Sequence, residues 1–384
     1  MKIKFCFNII LFWLLPNLLL AQTIKGKITD ELSNDGVAYV TVQADAKHKT
    51  ISNENGEFEL AVSSLPCDLT ISHISYQPIK IKANDIILNL KLKAIVQNLE
   101  EVVVGNHALS LMKSAYTKAI KIVDESYYAK AFFRQIAYEA DRPVYLNEIF
   151  FNADWKNYSL IKWLPTESRY LKNDSHVSYS NLSFSVFALS GYLSNSYYAK
   201  PLSSKLDSLY TFKIKSTFKS GDDEIAIISC KLKVKYEKAY FEGDYYLNTE
   251  TYNVLKIDGT IKNFGLTSKG VLGAKLKEAN LISQYSLNSE NKSILDFSVL
   301  TLKSRMAVLG LGTKNLELYS TLYVMDYSNT YNKDLKQIQN KTNDVKTTQN
   351  MVYNADFWRS NPTIKRTAKE EEAIKILEEA STIN

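Results

Sequence analysis

Cysteine, glycine and proline are scarce in this chain of 384 residues, which contains 3 Cys, 13 Gly and 7 Pro. The low glycine and proline contents exclude a collagen-like or low-complexity protein. The cysteines lie far apart in the sequence, which excludes a CxxC redox or metal pair and argues against a disulfide framework. No apolar run after residue 21 approaches the ~18 residues of a membrane-spanning helix, so we expect no transmembrane segment beyond that point.

The sequence also lacks the motifs of common catalytic and cofactor-binding sites. None of its 4 histidines begins an HxxE or HExxH pattern, whose spacing would place two ligands on one zinc ion. A G-x-S-x-G nucleophile elbow is absent, and the glycines at 265–270 and 310–312 lack the other residues of phosphate-binding or dinucleotide-binding loops. We therefore predict no catalytic, metal-binding or cofactor-binding residues and a protein that is not an enzyme; an unrecognised hydrolase is the enzymatic alternative.

The first 21 residues have the pattern of a signal peptide. Lys2 and Lys4 form a short basic region, Ile9–Leu20 is mostly apolar, and Ala21 is a small residue suited to cleavage. We therefore expect an exported protein that is periplasmic or outer-membrane-associated. Because Leu19 is larger than the small residue preferred in an A-x-A site, an uncleaved anchor is the alternative.

The charge balance argues against a nucleic-acid partner. The chain has 47 basic and 41 acidic residues, and without Lys2 and Lys4 the basic count is 45 and the net charge +4. This charge is small, and basic and aromatic residues do not cluster into a binding platform. Neither nucleic acid nor a cofactor is expected to bind this protein.

What the sequence does contain first is a series of short strands from Gln22 to about Lys93. Residues 38–44 alternate between apolar and polar side chains, as the two-residue period of a strand requires. Asn55-Gly56 is the strongest hairpin signal, because a tight turn needs positive φ and these residues tolerate it. Roughly seven strands separated by polar turns predict a small antiparallel β-sandwich.

Five blocks within residues 22–104 occur in a characteristic order: GKITDE, VAYVTVQ, SNENGEF, ISHISYQ and LEEVVV. In this order they resemble the carboxypeptidase-regulatory-like domain, a prealbumin-type, immunoglobulin-like β-sandwich of exported proteins in Bacteroidetes-type bacteria. The resemblance implies a module of the cell envelope at residues 22–104, preceded by the signal peptide at residues 1–21.

After this module the pattern changes to a helix and then to a long series of strands. Asn106–Val123 places apolar residues at the three- and four-residue spacing of one helical face, which predicts a helix packed on a sheet. Strand patterns then continue to about Asp326. We predict a mainly β protein with some α, in which residues 105–327 form a curved antiparallel α+β half-barrel-like domain. Its order of elements weakly resembles lipoprotein-carrier-like proteins, and it also resembles a domain of unknown function in exported proteins.

Residues 328–384 are predicted to be a polar linker followed by a terminal helix. Asn, Lys, Gln and Thr dominate residues 328–350, which indicates an exposed linker. Phe357-Trp358 has the character of a docking segment. In the helix at 367–380, Ala373, Ile376, Leu377 and Ala380 share one face.

The preferred functional hypothesis is a non-enzymatic envelope protein that binds a partner or an apolar ligand, lipid included, through its second domain. One apolar face of the predicted sheet is the candidate ligand face, and it consists of Phe132, Ile136, Leu146, Phe150, Leu232, Val234, Tyr246 and Leu255. The alternative interpretation of these residues is plain hydrophobic core. The alternative function is that of an accessory subunit, docked to an outer-membrane receptor or surface complex through an exposed strand edge of the sandwich.

Overall fold

The computed structural model describes residues 22–45, 47–96, 106–175, 177–263, 271–308, 312–328, 332–339, 341–361 and 364–382. The predicted signal peptide at residues 1–21 and the LEEVVV block at residues 99–104 lie outside the described residues.

Residues 22–92 form two small sheets packed face to face, which we call the sandwich. Its strands are β1 Gln22–Asp30, β2 Thr41–Gln43, β3 Lys49–Ile51, β4 Glu57–Val62, β5 Cys67–His73, β6 Tyr76–Ala83 and β7 Ile87–Leu92. One sheet has the order β4-β1-β7 and the other β3-β2-β5-β6. Alternate residues such as Ile24, Val42, Phe58 and Ile71 are buried between them, so the predicted β-sandwich is confirmed.

Two local predictions for the sandwich were wrong. The strands are not all antiparallel, because β7 pairs with β1 in parallel; the chain between them crosses to the other sheet and returns, which allows this direction. Asn55-Gly56 forms a turn with Gly56 at φ 78°, but this turn joins β3 to a strand of the opposite sheet instead of closing a hairpin. The reason is that the Gly56 carbonyl accepts the Ile28 N–H at 2.8 Å, which directs the chain onto β1.

A large antiparallel sheet of eleven strands follows the sandwich. Its strands are β8 Tyr127–Glu139, β9 Arg142–Lys156, β10 Ser159–Lys172, β11 Tyr210–Ser220, β12 Asp223–Leu232, β13 Tyr240–Asn248, β14 Val254–Lys262, β15 Val271–Leu287, β16 Ser293–Val308, β17 Gly312–Ser328 and β18 Lys336–Gln337. Their order is β11-β12-β13-β14-β15-β16-β17-β8-β9-β10-β18. The sheet is curved and open, with β11 and β18 at its edges, which confirms the predicted mainly β fold class.

The two faces of this sheet are both covered, because successive side chains of a strand point to opposite sides. In β8, Ala131, Phe133 and Ala137 point to what we call the inner face, where they belong to the largest hydrophobic cluster. Phe132 and Ile136 point to the outer face and belong to separate clusters. Strands buried on both sides explain why these sequences lack a clean alternation of polar and apolar residues.

Two helices fill the inner face. Helix α1, Asn106–Lys121, buries Leu111, Met112, Ala115 and Ala119 against it, which confirms the predicted helix packed on a sheet, but Ile120 of the predicted apolar face is 42% exposed. Helix α2, Leu182–Ser190, is apolar on nearly all sides and almost wholly buried, as expected of a helix surrounded by protein. Its Phe187 ring lies 5.4–5.9 Å from the rings of Phe133, Phe151 and Trp163. The inner side of the described sheet is therefore a packed core.

Buried charges hold both ends of α2. The Asp344 carboxylate accepts the backbone N–H groups of Asn181 and Ser183 at the first turn, the second at 3.0 Å. The Lys200 ammonium donates to the carbonyl oxygens of Leu189 and Gly191 at the last turn. These signs complement the helix dipole, and burial lowers the pKa of Lys200 to about 7.

The outer face is covered by the sandwich and by the end of the chain. Tyr39 of the sandwich lies 5.6 Å from the ring of Phe297 on β16, and Ile51 packs in the same cluster as Phe132. Close by, the ammonium of Lys49 on β3 forms an ion pair with the largely buried carboxylate of Asp296. This ion pair joins the sandwich to the large sheet.

The short helix α3, Leu206–Leu209, lies directly before β11. Residues 344–382 contain three further helices, α4 Asp344–Thr348, α5 Ala355–Ser360 and α6 Ala368–Thr382. The expectation of an exposed linker at 328–350 was wrong in part, because Leu335, Ile338, Asp344 and Thr348 are buried. In α6 the buried residues are Ala373, Ile374 and Leu377, whereas the predicted Ile376 is 37% exposed. We call residues 344–382 the C-terminal segment.

Substituting Asp296 by Asn is expected to lower the unfolding free energy by about 3 kcal/mol, because it leaves the Lys49 ammonium without its partner in a largely buried interface. The matched control is Asp207→Asn, which breaks the exposed ion pair between Asp207 and Lys113 and should leave stability unchanged within error. Urea unfolding of both variants provides the measurement. Equal stabilities for the two variants would contradict a structural role for the Lys49–Asp296 pair.

Candidate functional site

The eight residues of the candidate ligand face do not form one surface. Phe132 and Phe150 share one cluster, Ile136 and Leu146 a second, and Tyr246 and Leu255 a third, while Leu232 packs against the inner core. Val234 is 45% exposed and follows the end of β12 at Leu232. Val234 is thus outside the large sheet, whereas the sequence predicted it on the apolar face of that sheet.

Half of the predicted face does come together on the outer side of β8 and β9. There the C-terminal segment covers it: the Phe150 ring lies 4.9 Å from Phe357 and 5.2 Å from Trp358. Leu146 packs with Leu377 of α6. The predicted docking role of Phe357-Trp358 is therefore fulfilled within the chain, and the occupant of this apolar surface is the protein itself.

A cavity of about 100 Å³ remains where the sandwich, the large sheet and the C-terminal segment meet, and we call it the seam cavity. The sandwich contributes Tyr39, Asn53 and Glu54 to its lining. The sheet contributes Arg134, Ile136, Tyr138, Val299 and Tyr319, and the C-terminal segment contributes Ile364, Lys365, Lys369 and Glu370. Its wall therefore combines apolar side chains with three cationic and two anionic ones.

Arg134 is the buried cationic group of this site, and its guanidinium connects three parts of the structure. Its Nε donates to Glu148 Oε1 of β9 at 2.7 Å, and its Nη2 donates to the carbonyl oxygen of Ile364 at 3.1 Å. Its Nη1 lies 3.6 Å from Glu370 of α6. These contacts fix the C-terminal segment over β8 and β9.

The Glu148 carboxylate is fully buried and receives two further arginines. Arg169 of β10 donates from Nε at 2.9 Å, and Arg366 donates from Nη2 at 3.1 and 3.2 Å. Burial alone would raise the pKa of Glu148, but the charges of Arg134, Arg366 and Arg169 lower it far below its ordinary value. We call Glu148 and these arginines the Glu148 cluster.

Two more carboxylates balance the arginines of the cluster. Glu370 lies near Arg134, and Glu378 lies 3.4 Å from Nη1 of Arg169. Three guanidinium groups thus face three carboxylates, so the buried network carries little net charge. The cations left at the cavity mouth are the lysines of the C-terminal segment.

Lys365 and Lys369 occupy different environments. Lys365 donates to Glu371 at 3.0 Å and lies 3.2 Å from Glu59 of the sandwich; burial lowers its pKa, but these hydrogen bonds outweigh that effect and raise it. Lys369 has its Nζ 4.4 Å above the ring centroid of Tyr138 and 5.2 Å above that of Tyr319. The Glu317 carboxylate lies 3.5 Å from the Lys369 Nζ, and the Lys369 side chain is 58% exposed. Lys369 thus lines the cavity mouth with a largely exposed side chain.

Tyr39 reaches the cavity through an unusual backbone conformation. Its φ is 59°, a left-handed value that a bulky residue adopts at a cost of order 1–3 kcal/mol. Two hydrogen bonds offset this cost. The Tyr39 N–H donates to the Ser52 carbonyl at 3.1 Å, and the Tyr39 hydroxyl donates to the Glu54 carboxylate at 3.3 Å. Such strain is typical of positions where a side chain has to be aimed at one place.

Sequence reasoning missed Arg134, Glu148, Arg169 and Arg366. One signal was present: FFRQ and YLNE each place a charge inside an otherwise apolar strand. A second signal was Thr367-x-x-Glu370, the pattern of a capping box, which marks the start of the helix that carries Glu370. The structure forms it, because Glu370 Oε2 accepts the Thr367 N–H at 2.8 Å and Thr367 Oγ1 accepts the Glu370 N–H at 3.2 Å.

The described residues contain no group of three or more His, Cys, Asp or Glu side chains placed to hold a metal ion. Within the same ranges, no helix has both the length and the apolar character needed to cross a bilayer. Cys230 is buried, and burial raises the pKa of its thiol well above the ordinary value, which leaves it unreactive.

Comparison with known proteins identifies the first part of the chain. Residues 24–104 match the model of the CarboxypepD_reg-like domain, which confirms the resemblance predicted for residues 22–104. The sandwich is therefore a domain of this class. No curated protein matches the chain.

Solved structures similar to the chain include three bacterial proteins. They are a LolA superfamily protein from Nitrosomonas europaea (12% identity, 60% of this chain and 94% of that one, TM-score 0.23), a putative membrane-associated protein of unknown function from Bacteroides fragilis (11%, 80% and 98%, 0.16), and a DUF1329 family protein from Desulfovibrio piger (12%, 59% and 95%, 0.23).

Substituting Glu148 by Gln is expected to lower the unfolding free energy at neutral pH by about 3 kcal/mol, because three arginines lose their shared buried carboxylate. The folded-state pKa of Glu148 is lowered, so its contribution is complete above the ordinary value of 4.5 and is lost as the pH falls below it. The difference between wild type and E148Q should therefore shrink below about pH 4.5.

Urea unfolding at a series of pH values measures this difference. Glu290→Gln serves as the control, since Glu290 forms an exposed ion pair with Lys292, and it should match wild type. A gap between wild type and E148Q that stays constant down to strongly acidic pH would show that Glu148 is not held ionised by the arginines.

Proposed function

We propose that this chain is a non-enzymatic, exported protein of the cell envelope that binds a small amphiphilic anion in the seam cavity. The observation that carries this proposal is the pairing of an apolar wall, formed by Ile136, Val299 and Ile364, with the cation of Lys369 at the mouth. An apolar body with one charged end, such as a fatty acid, matches both features. The filled inner face of the sheet favours this site over a cavity between the sheet and its helices.

The size of the cavity limits what it accepts. A volume of about 100 Å³ holds several water molecules or one end of an amphiphilic ligand, and the remainder of a longer ligand would lie along the seam. Lys369 can supply a charge-assisted contact to a carboxylate without breaking a buried ion pair, because it is exposed and its contact with Glu317 is long. Arg134 and Lys365 are already held by carboxylates and shape the local field.

Titration with dodecanoate tests this proposal. Isothermal calorimetry is expected to show binding to the wild-type chain that is about tenfold weaker in Lys369→Gln, because one charge-assisted contact is lost. Native mass spectrometry of protein extracted gently from its native envelope should also show a bound amphiphile in stoichiometric amount.

Lys303 offers a matched control for Lys369. Its Nζ lies 3.6 Å from the same Glu317, and its side chain is 64% exposed, but it does not line the cavity. Lys303→Gln should bind dodecanoate as wild type does. Equal affinities of K369Q and K303Q, or no binding by the wild-type chain, would overturn the proposed site.

The second candidate function is that of an accessory subunit docked through the sandwich, and the edge strand β7 favours it. In the described residues β7 pairs with β1 on one side and with no strand on the other. Ile87 on this edge is 70% exposed, and the preceding Ile86 is 52% exposed. An unpaired edge with exposed apolar residues at its start is suited to adding a strand from a partner.

Ile87→Lys should abolish such docking, because a charge on the edge strand opposes strand addition. Cross-linking of the full chain in its native envelope, followed by identification of the cross-linked protein, compares wild type with I87K. Val352→Lys is the control, since Val352 is 89% exposed and lies in the C-terminal segment. A cross-linked product that persists in I87K would exclude docking through β7.

A further inference from the structure

A surface on the other side of the large sheet from the seam cavity combines lysines with exposed apolar side chains. It consists of the exposed side of α1, residues 205–209 and residues 233–238, and we call it the basic surface. These parts are contiguous, because Lys113 of α1 donates to the Asp207 carboxylate at 2.9 Å and the Nζ of Lys233 lies 4.0 Å from the same carboxylate. Helix α1 packs on the inner face of the sheet, whereas the seam cavity lies on the outer face, so the two sites are separate.

Lysines dominate the charge of the basic surface. Its exposed charged residues are five lysines and two acids, which give a net charge of +3: Lys113, Lys205, Lys233, Lys235, Lys238, Asp207 and Glu237. The whole chain without Lys2 and Lys4 has a net charge of +4, because the total of +6 falls by two. Lys121 and Asp124, which are exposed near the end of α1, offset each other. Most of the excess positive charge of the chain is therefore concentrated on this surface.

An apolar groove of about 290 Å³ lies within the basic surface, between α1, residues 193–209 and Tyr236. The side chains that line it include those of Tyr116, Ile120, Val123, Leu202, Leu209 and Tyr236. Lys205 lines it too, so a cation lies beside the apolar wall. Ile120 is 42% exposed, and the nearby Val234 is 45% exposed. Single exposed apolar residues are common on proteins, but a groove with exposed apolar residues inside a charged surface indicates an interaction site.

The composition of the basic surface favours an anionic lipid bilayer over an acidic protein as its partner. All five of its cations are lysines. Protein interfaces are enriched in arginine and depleted in lysine, because a guanidinium pairs with a carboxylate in a fixed, bidentate geometry. The attraction of a lysine to a charged bilayer needs no such geometry. Tyr116 and Tyr236 add side chains with an apolar ring and a polar hydroxyl, which suit the boundary between lipid headgroups and acyl chains.

We propose that the basic surface docks the protein on an anionic lipid bilayer. The lysines lie against the anionic headgroups, and Ile120, Val234 and the groove contact the apolar layer beneath them. The electrostatic attraction extends over a Debye length of about 10 Å at 0.1 M salt, so docking is peripheral, reversible and sensitive to salt. Because the seam cavity lies on the opposite side of the sheet, docking leaves it accessible.

Flotation of the full chain with lipid vesicles tests this proposal. Vesicles of equimolar phosphatidylglycerol and phosphatidylcholine are expected to bind the chain at least tenfold more tightly than vesicles of phosphatidylcholine alone. Raising the salt from about 0.05 M to about 0.5 M should remove this difference, because salt screens the lysines. The double substitution Lys205→Glu and Lys235→Glu should weaken binding to the anionic vesicles at least tenfold, since two attractive charges become repulsive. Residues 1–21 are the same in every variant, so binding that they cause does not change.

The double substitution Lys336→Glu and Lys341→Glu is the matched control, because it changes the net charge equally. Both lysines are exposed, and Lys336 lies on β18, at the other edge of the sheet from β11. This variant should bind anionic vesicles as wild type does, and both variants should unfold thermally at the wild-type temperature, since all four residues are exposed.

Polyglutamate represents the acidic-protein alternative in the same assay. Equal binding of wild type to the two kinds of vesicle, or equal binding of the two double variants to anionic vesicles, would overturn the proposal. Binding of polyglutamate that K205E/K235E abolishes, without binding of wild type to anionic vesicles, would assign the basic surface to an acidic protein instead.

Discussion

The outer half of this structure depends on one buried carboxylate, that of Glu148. It lies on β9, and the neighbouring strands β8 and β10 each contribute one arginine. The C-terminal segment contributes a third. Removing four charged groups from water is unfavourable unless each finds a partner, so this arrangement tolerates few alternatives. The position of α6 over β8 and β9 follows from that requirement as much as from the apolar contacts of Ile374 and Leu377.

This constraint also explains why the large sheet has two covered faces of different character. The inner face is a continuous apolar core filled by α1 and α2. The outer face is divided into separate apolar clusters, with the Glu148 cluster between the two that contain Phe132 and Ile136. The sandwich and the C-terminal segment meet over this divided surface, and imperfect closure at their junction leaves the seam cavity.

The sequence predicted elements better than it predicted their partners. The period of apolar residues located α1 and the strands of the sandwich, because one buried face leaves a regular trace. It could not show that Asn55-Gly56 joins different sheets, since a turn signal is local and strand pairing is not. The eight-residue ligand face failed as a unit for the same reason: alternation assigns a residue to one of two faces but does not say what lies over it. The seam cavity was missed because it forms between segments remote in the chain.

The parallel pairing of β1 with β7 has a mechanical consequence. Residue 22 enters β1 at one end of this pair, and the chain leaves β7 towards the large sheet at the other end. Tension between residue 22 and the large sheet would therefore load the hydrogen bonds of the pair together, in shear, instead of opening them one after another. The β1–β7 pair is therefore the part of the sandwich on which such tension would act.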